Sequence, residues 1–351
     1  MILIDGRMGE GGGQILRTAL SLSAATGKPF RLIHIRKKRN KPGLRHQHLA
    51  CVNAVAEICG ARCQGNALQS LELEFFPGPI RAGNFFFAIP TAGSAMQVMQ
   101  TVLPVLSRAA GQSTVTVRGG THNPGAPPFE FFTESFLPLL RRLGINADLQ
   151  IRKHGFYPVG GGEIAAVIHP QSAGEPDFSF YQRGEPDTAG AEILLSWLPH
   201  VIAERESKTL RRMLGWPDGK IKIREITDSP GPGNVIMIRV KYGAQIYLFT
   251  AFGQRGKPAE QVAAEVSEAF IKFRLSNAAL DEHLANQILL YLALNNGGAF
   301  TAESLSLHTK TNLEVIKRFL EMKISTRKKD DGFFEISLSP LAARRVDQFI
   351  E

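Results

Sequence analysis

Cysteine is scarce in this chain of 351 residues, which carries only Cys51, Cys59 and Cys63. Three cysteines are too few for a disulfide framework, and no paired histidine or second C-x-x-C accompanies the C-x3-C spacing of the last two. We therefore expect small buried residues or free thiols at these positions. No H-E-x-x-H or similar ligand spacing indicates a zinc site either.

Long apolar runs are also missing. None reaches the roughly eighteen residues that a membrane span needs, and the first residues, MILIDGRMGEGGGQ, lack a basic segment followed by an apolar stretch. We expect a soluble, unexported, cytoplasmic protein with no membrane partner. Because 44% of the residues are hydrophobic, the chain can form a sizeable core, as two domains or as one large domain with an insertion.

Positive charge is in excess, with 41 Lys and Arg against 32 Asp and Glu, a net charge of +9. This excess favours a polyanionic partner and says nothing about the fold. Six of the positive charges crowd one segment: Arg36, Lys37, Lys38, Arg39, Lys41 and Arg45. Such a run is either a solvated loop or a site for RNA or nucleotide phosphates.

Strand and helix patterns recur along the chain as βαβαββ-like units. The first unit ends with strands at 71–76 and 84–89, and the second contains a helix at 127–144. A third, partial copy has helices at 280–295 and 309–322. Since each unit is too short to bury its sheet face alone, the units predict one composite α/β domain, 1–181 with 278–351. The order of elements changes at 182–277, which we interpret as a small inserted domain.

Glycine-rich segments occur at 9–14, 119–125, 154–162 and 228–234. A glycine run that opens a helix can bind anions through free N–H groups and the helix dipole. None matches a known phosphate loop, and any single run is more typical of a turn. The first is best placed for function, because it leads directly into a helix with Glu10 and Arg17 nearby.

His308 is the sharpest catalytic candidate. It ends an extended stretch and immediately precedes a helix that Thr309 or Thr311 can cap. The positive end of the helix dipole favours a neutral imidazole and attracts phosphate. Attack on phosphorus needs that neutral form, with one nitrogen free and the other held by a hydrogen bond. Spacing alone still favours a capping or core role for this histidine.

Seven short motifs, in chain order, resemble the RNA 3′-terminal phosphate cyclase family over nearly the whole chain. HGFYPVGGGEI at 154–164 is similar at every fixed position to the family signature [RH]-G-x-x-P-x-G-G-G-x-aliphatic. The others are EGGGQILR at 10–17, KPGL at 41–44 with QHL at 47–49, AGS at 92–94, QTVLP at 100–104, GGT through APP at 119–128, and H-x-x-T-N at 308–312. The chain is therefore identified as a member of this family.

The resemblance implies three βαβαββ repeats similar to the C-terminal fold of translation initiation factor three, with a small α/β domain inserted. It implies ATP-dependent conversion of RNA 3′-phosphate ends to 2′,3′-cyclic phosphates. The reaction would proceed through a covalent histidyl-adenylate on His308 and then an RNA-adenylate. The implied cofactors are ATP and Mg²⁺ or Mn²⁺, and the implied partners are RNA 3′ ends. The oligomeric state stays open between monomer and homodimer.

The resemblance also implies roles for individual residues. Glu10 is the metal ligand, a hard carboxylate suited to a hard cation, and Arg17, Arg36 and Arg39 hold phosphates of ATP or RNA through their fork geometry. The nucleotide pocket is lined by Gln47, Gln100, Pro127, Phe131, His283, Leu284, Ala285, Asn286 and Gln287. Family members often carry Tyr and Asp where this chain has His283 and Asn286, so its base contacts and nucleotide preference stay open.

Two other functions fit parts of the sequence. A eukaryotic relative of the cyclases serves ribosome assembly and lacks the catalytic histidine, so a catalytically inert RNA-binding assembly factor is the alternative. The presence of His308 favours the enzyme. The fold-related enolpyruvyl transferases act on small phosphorylated acids, but their phosphate-binding motifs are not evident, and the His-x-x-Thr-Asn site would be unexplained.

Overall fold

Our computed structural model describes residues 1–341 of the chain. Within this range the backbone forms four sheets of four strands each, covered by eight α-helices. The mixed α/β fold class predicted from the sequence is confirmed. No helix in this range is long and apolar enough to cross a membrane, and the three cysteines are free thiols.

The first repeat is a βαβαββ unit with strand order β1-β2-β4-β3. Its elements are β1 (Ile2–Asp5), α1 (Gly13–Thr26), β2 (Phe30–Ile33), α2 (His46–Cys59), β3 (Arg62–Gln64) and β4 (Leu73–Phe76). The first two strands are parallel and the others pair antiparallel. Helix α1 forms because Ile15, Leu16, Ala19 and Leu20 lie on one buried face at helical spacing. It ends at Gly27, whose φ of 70° suits a residue without a side chain.

The second repeat has the same topology, with strand order β5-β6-β8-β7. Its elements are β5 (Asn84–Ala88), α3 (Ala95–Leu106), β6 (Ser113–Gly119), a π-helical segment (Phe131–Phe136) that continues into α4 (Leu137–Arg142), β7 (Ala147–Lys153) and β8 (Gly162–Ile168). The sequence pattern predicted that the strand near 84–89 ends the first unit, and this prediction is wrong. It pairs in parallel with β6 and opens the second sheet, because the apolar alternation identifies a strand but not its neighbour.

The inserted domain follows a two-residue strand, β9 (Ser179–Phe180). It contains β10 (Thr188–Ser196), α5 (Val201–Leu214), β11 (Ile221–Glu225), β12 (Gly233–Tyr242), β13 (Gln245–Phe252) and α6 (Ala259–Leu275). Its strand order is β11-β10-β12-β13, with both helices on one face of the sheet. This order differs from that of the repeats.

The third repeat is complete rather than partial. After the inserted domain come α7 (Glu282–Leu294), β14 (Gly298–Ala302), α8 (Leu307–Phe319), β15 (Met322–Lys328) and β16 (Phe334–Pro340). Strand β9 supplies the missing first strand and pairs in parallel with β14, so the insertion interrupts this repeat after its first strand. We propose to divide the chain into a repeat domain, 1–181 with 278–351, and an inserted domain, 182–277. Residues 342–351 of that division lie outside the described part.

Helix α1 lies where the repeats meet. It packs against α2 of its own repeat, α3 of the second, and α7 and α8 of the third. Thr18 on α1 donates a hydrogen bond to Asn312 on α8 at 2.8 Å, with both residues buried. The glycine-rich loop that precedes α1 is therefore brought next to the N-terminus of α8, where His308 lies.

Candidate active site

A cavity of about 370 Å³ opens between the three repeats and the inserted domain. A volume of this size can hold a nucleotide-sized ligand. The predicted site residues that line it are Arg17, Gln100, Pro127, Phe131, His283, Asn286, Gln287 and His308. The structure thus brings these eight residues from all three repeats to one place.

His308 is the second residue of α8, because this helix begins at Leu307 and not at 309 as the sequence pattern suggested. The N-cap is Ser306, whose Oγ accepts a hydrogen bond from the backbone N–H of Thr309 at 3.1 Å. The expectation that Thr309 or Thr311 caps the helix is therefore wrong, because the helix begins two residues before Thr309. The imidazole is 54% exposed at the wall of the cavity.

A chain of three amides fixes the orientation of His308. Gln14 Oε1 lies 2.8 Å from His308 Nδ1, and Gln14 Nε2 donates to Asn286 Oδ1 at 2.7 Å. Asn312 Nδ2 donates to the backbone oxygen of Asn286 at 3.0 Å, while Asn312 Oδ1 accepts from Thr18. Asn312 Nδ2 must donate to a backbone oxygen and also lies 3.4 Å from Asn286 Oδ1, which identifies that atom as the oxygen. Gln14 therefore turns its N–H₂ group to Asn286 and its oxygen to the imidazole. His308 Nδ1 then carries the proton and Nε2 keeps its lone pair.

The electrostatic surroundings favour the neutral imidazole. Burial lowers the pKa of His308 below its usual 6.5, and the positive charges of Arg39 and Arg17 lower it further. Both causes disfavour the imidazolium. Among residues 1–341 no protein group hydrogen-bonds Nε2, so a neutral ring presents a free nucleophilic nitrogen at the cavity wall.

The glycine-rich loop at 9–13 packs directly against α8. Gly9 has a φ of 51°, and a β-carbon there would overlap the side chain of Thr311. The backbone N–H of Glu10 donates to Thr311 Oγ1 at 3.1 Å. As a result Glu10 Oε1 lies 3.7 Å from His308 Nδ1, and its other oxygen forms an ion pair with Arg39. Glu10 and Arg39 therefore lie beside His308, although neither lines the cavity itself.

The predicted residues Arg17 and Gln47 are linked through Gln97. Its Oε1 accepts hydrogen bonds from Arg17 Nη1 at 3.1 Å and from Gln47 Nε2 at 2.8 Å. Gln47 Oε1 in turn accepts from the backbone N–H of Ser94. Gln47 thus supports the wall of the cavity from behind rather than lining it. Burial lowers the pKa of Arg17, whose guanidinium still bears its charge at any working pH.

Gln100 differs from these interlocked side chains. It is only 9% exposed and lines the cavity, yet its Nε2 has no hydrogen-bond partner among the described residues. A buried N–H group without a partner costs free energy. An acceptor supplied by a ligand would satisfy it, so this orphaned donor fits a nucleotide.

Three predicted residues have other surroundings. Leu284 and Ala285 are fully buried, because on helix α7 they face the core while His283, Asn286 and Gln287 face the cavity. Their side chains cannot line the pocket as predicted. The guanidinium of Arg36 donates to the backbone oxygens of Lys41 and Gly43 at 2.6 and 3.0 Å. It holds the conformation of its own basic loop.

Sequence reasoning missed several residues of the site. Gln14 lies within one of the cyclase motifs, but no role was predicted for it. None was predicted for Gln97 or Asn312 either. Their polar side chains on otherwise buried helix faces could have indicated them. Leu248, Thr250 and Phe252 of β13 also line the cavity. No signal in the sequence predicts that the inserted domain reaches it.

The metal site predicted at Glu10 consists of one carboxylate. No group of three or more His, Cys, Asp or Glu residues that could hold a metal ion occurs in residues 1–341. Mg²⁺ is commonly held by one or two carboxylates together with substrate phosphates and water. The donor set present therefore fits a cation that arrives with a nucleotide, and it does not fit a resident metal with an all-protein cage.

Comparison with known proteins identifies the family of the chain. The sequence model of the RNA 3′-terminal phosphate cyclase family matches residues 8–326. The chain belongs to this family. The RNA 3′-terminal phosphate cyclase of Salmonella typhimurium is 45% identical over 333 residues, covering 95% of this chain and 97% of that protein. The protein of the same name from Ralstonia nicotianae is 45% identical over 331 residues, covering 94% of this chain and 95% of its own length.

Among solved structures, the enolpyruvyl transferase NikO from Streptomyces tendae aligns with 97% of this chain and 66% of its own, at 12% identity and a TM-score of 0.28. A likeness this low does not establish a shared fold. The match to the cyclase family, by contrast, runs from the first repeat through the inserted domain into the third repeat.

The cyclase signature at 154–164 does not line the cavity. His154 Nδ1 contacts Asp228 Oδ1 of the inserted domain at 2.7 Å, and its ring stacks with His122 at 5.7 Å between centroids. Gly233 of the inserted domain packs on Phe156 so closely that a β-carbon there would overlap the ring. In this chain the signature joins the second repeat to the inserted domain.

Proposed function

We propose that this chain converts RNA 3′-phosphate ends to 2′,3′-cyclic phosphates at the expense of ATP, and that it acts in the cytoplasm. The family and its named relatives support the reaction. The geometry that supports a role for His308 is the imidazole held at Nδ1 by Gln14, with Nε2 free at the wall of a nucleotide-sized cavity. Such an imidazole is a nucleophile ready for attack on phosphorus.

In the proposed sequence, His308 Nε2 attacks the α-phosphorus of ATP and the bond to pyrophosphate breaks. An oxygen of the RNA 3′-phosphate then attacks the same phosphorus, which returns the lone pair to His308 and forms an RNA-adenylate. The vicinal 2′-hydroxyl attacks the 3′-phosphorus, loses its proton and displaces AMP. The sum consumes ATP and the RNA 3′-phosphate and yields the cyclic phosphate, AMP and pyrophosphate.

The residues around His308 fit the needs of this chemistry. Arg17 and Arg39 would hold phosphate oxygens, and Gln100 would donate its unpartnered N–H to the nucleotide. Pro127, Phe131 and His283 offer flat apolar or aromatic surfaces for the base. We do not extend the phosphate role to Arg36, whose guanidinium is committed to its loop.

Glu10 is the residue we propose as the protein ligand of Mg²⁺ or Mn²⁺. A bound cation would neutralise charge that develops on the phosphates. Glu10 would exchange its ion pair with Arg39 for this contact, which frees the guanidinium for a phosphate oxygen. After the exchange each of the two side chains would still face a group of opposite charge.

The test is incubation with ATP labelled at the α-phosphate, in the presence of Mg²⁺. We expect the wild-type protein to retain label through an acid-labile, base-stable phosphoramidate, and His308→Ala to retain none. His169→Ala removes an exposed histidine outside the site and should label normally. An unlabelled wild type would contradict the enzyme and favour the inert assembly factor. Undiminished label on His308→Ala would contradict the assignment of the nucleophile.

A comparison of RNA ends tests the second half of the reaction. The labelled protein is mixed with oligonucleotides that end in a 3′-phosphate, a 2′-phosphate or a hydroxyl group. We expect the 3′-phosphate end to discharge the label and to become cyclic. Discharge by the hydroxyl end at the same rate would contradict the proposed substrate.

A further inference from the structure

A second concave surface lies on the inserted domain. The odd-numbered residues Tyr247 and Phe249 of β13 pack on Phe273 and Phe270 of helix α6, with ring centroids 4.7 and 5.9 Å apart. Side chains alternate along a strand. The even-numbered residues of β13, which begin with Ile246, therefore point to the opposite face, and α5 and α6 do not cover that face. A groove of about 540 Å³ occupies part of that face.

The strand register explains why this face is hollow. Gly190 on the central strand β10 lies opposite Arg239 on β12, and Thr188 lies opposite Lys241. On its other side β10 pairs with β11, where Glu192 lies opposite Lys222. The floor of the groove therefore carries no side chain at Gly190, and long cationic side chains rise around it.

The cations of this groove fall into two groups. Arg239 is neutralised by Glu134 at 2.6 Å and by Glu192 at 3.1 Å. Lys220, Lys222 and Lys241 are exposed and line the groove, and no carboxylate lies within 4.0 Å of their ammonium groups in the described part of the chain. Three unpaired like charges around one hollow hold counterions that a polyanion can release.

The groove and the main cavity lie on one face of β13, and the π-helical segment that packs on this strand contributes Phe131 to the cavity and Glu134 to the groove. On the same face of β13, Leu248, Thr250 and Phe252 line the main cavity, and Ile246 lines the groove. The step from Phe252 to Ile246 spans about 20 Å at the rise of a strand. At roughly 3.4 Å per nucleotide this corresponds to about six nucleotides. The free lysines thus lie about 20 Å from the main cavity along the same face of one strand.

We infer that this lysine groove binds the phosphate backbone of the substrate RNA, several nucleotides upstream of the 3′ end held near His308. The inference rests on the proposed function. The occupant is a single RNA strand rather than an acidic protein, since the lysines are point charges around a hollow with only Ile246 as a large apolar side chain. Contacts of this kind are insensitive to base identity and strongly sensitive to salt.

The test is the salt dependence of RNA binding by a double variant, Lys222→Gln with Lys241→Gln. The matched control is Lys208→Gln with Arg212→Gln, which removes two exposed charges from helix α5 on the opposite side of the same sheet. We expect the groove variant to lower the slope of log affinity against log salt by roughly 1.4, about 0.7 per lysine. The control variant should keep the wild-type slope.

Length dependence locates the effect. We expect the groove variant to bind a 3′-phosphorylated RNA of about twelve nucleotides roughly tenfold more weakly than wild type does. It should bind an RNA of about three nucleotides as well as wild type does. Equal slopes for groove variant and wild type on the long RNA, or an equal loss on both lengths, would overturn the inference. Labelling by ATP alone is measured in parallel and should be unchanged. A failure of labelling in the wild type would count against the proposed function and not against the groove.

Discussion

The main cavity and the lysine groove both suit anions, but they differ in how far their polar groups are committed to one another. In the cavity, Gln14, Asn286 and Asn312 form a continuous chain of hydrogen bonds that reaches His308. In the groove, three lysines have no ion-pair partner in residues 1–341. Interlocked groups hold one geometry, which attack on phosphorus requires, whereas free ammonium groups accept phosphates in many registers. One protein face can therefore combine a site of fixed geometry with a site that binds phosphates in several registers.

The largest effect is expected where the interlocked chain is broken. Gln14→Leu removes the acceptor for His308 Nδ1, so the ring loses both its fixed tautomer and its fixed orientation. We expect the rate of labelling by ATP to fall roughly a hundredfold. Spectra that correlate ring protons with nitrogen should show His308 changing from one neutral tautomer to a mixture. An unchanged rate and an unchanged spectrum would contradict the role of Gln14.

Asn286→Asp is the matched control for that variant. An aspartate keeps an oxygen for Gln14 Nε2, so the tautomer of His308 should be preserved and labelling should stay near the wild-type rate. The wild-type rate should decline only below about pH 6.5, because burial, Arg39 and Arg17 lower the pKa of His308. The added carboxylate favours the imidazolium and raises that pKa. The acid limb of the rate profile should therefore move to higher pH in Asn286→Asp.

A smaller effect is expected at Gln100, whose buried N–H group has no partner in residues 1–341. Here stability should rise while ligand binding weakens. Gln100→Leu removes a buried N–H group without a partner, so the free energy of unfolding without ligand should rise by about 1 to 2 kcal/mol. ATP should bind about tenfold more weakly, since the donor is lost. Denaturant titration and equilibrium binding measure the two changes. Gln97→Leu is the control and should destabilise the protein, because it removes the oxygen that accepts hydrogen bonds from Arg17 and Gln47.

The smallest effect is expected in the groove, where one substitution should increase the affinity for RNA. Glu192→Gln removes a carboxylate beside Arg239 and Arg224, both of which it contacts at 3.1 Å. The affinity for a long RNA should rise a few-fold, with a steeper salt dependence. Labelling by ATP should not change. A weaker affinity would show that this carboxylate organises the groove rather than opposing the RNA.

The sequence predicted the helices and strands better than it predicted which strands pair with each other. Periodicity located the helices and most strands, but it could not show that β5 opens the second sheet or that β9 completes the third. Both errors have one cause: strand pairing depends on contacts between residues distant in sequence. The two residues of β9 are also too few for an alternating pattern, and 117 residues separate Phe180 from Gly298.

The site was predicted in part for a similar reason. The cyclase motifs identified His308, Arg17 and Gln100 as candidates, and the structure places all three at one cavity. The resemblance could not distinguish Leu284 and Ala285, which face the core, from their neighbours that face the ligand. Nor could it predict that Arg36 would bond to its own loop. Those outcomes depend on rotamers and helix rotation, which a motif does not encode.

The position of the inserted domain has a consequence for biosynthesis. Strands of the first two repeats can pair as soon as they leave the ribosome, but β9 must wait until β14 has been made. Meanwhile the inserted domain can fold and bring its two ends together, since Arg183 at its entrance donates to the backbone oxygens of Arg274 and Ala278 at its exit. These hydrogen bonds shorten the effective loop between β9 and β14, which lowers the entropy cost of the late pairing. We therefore expect the last sheet to form after the inserted domain has folded.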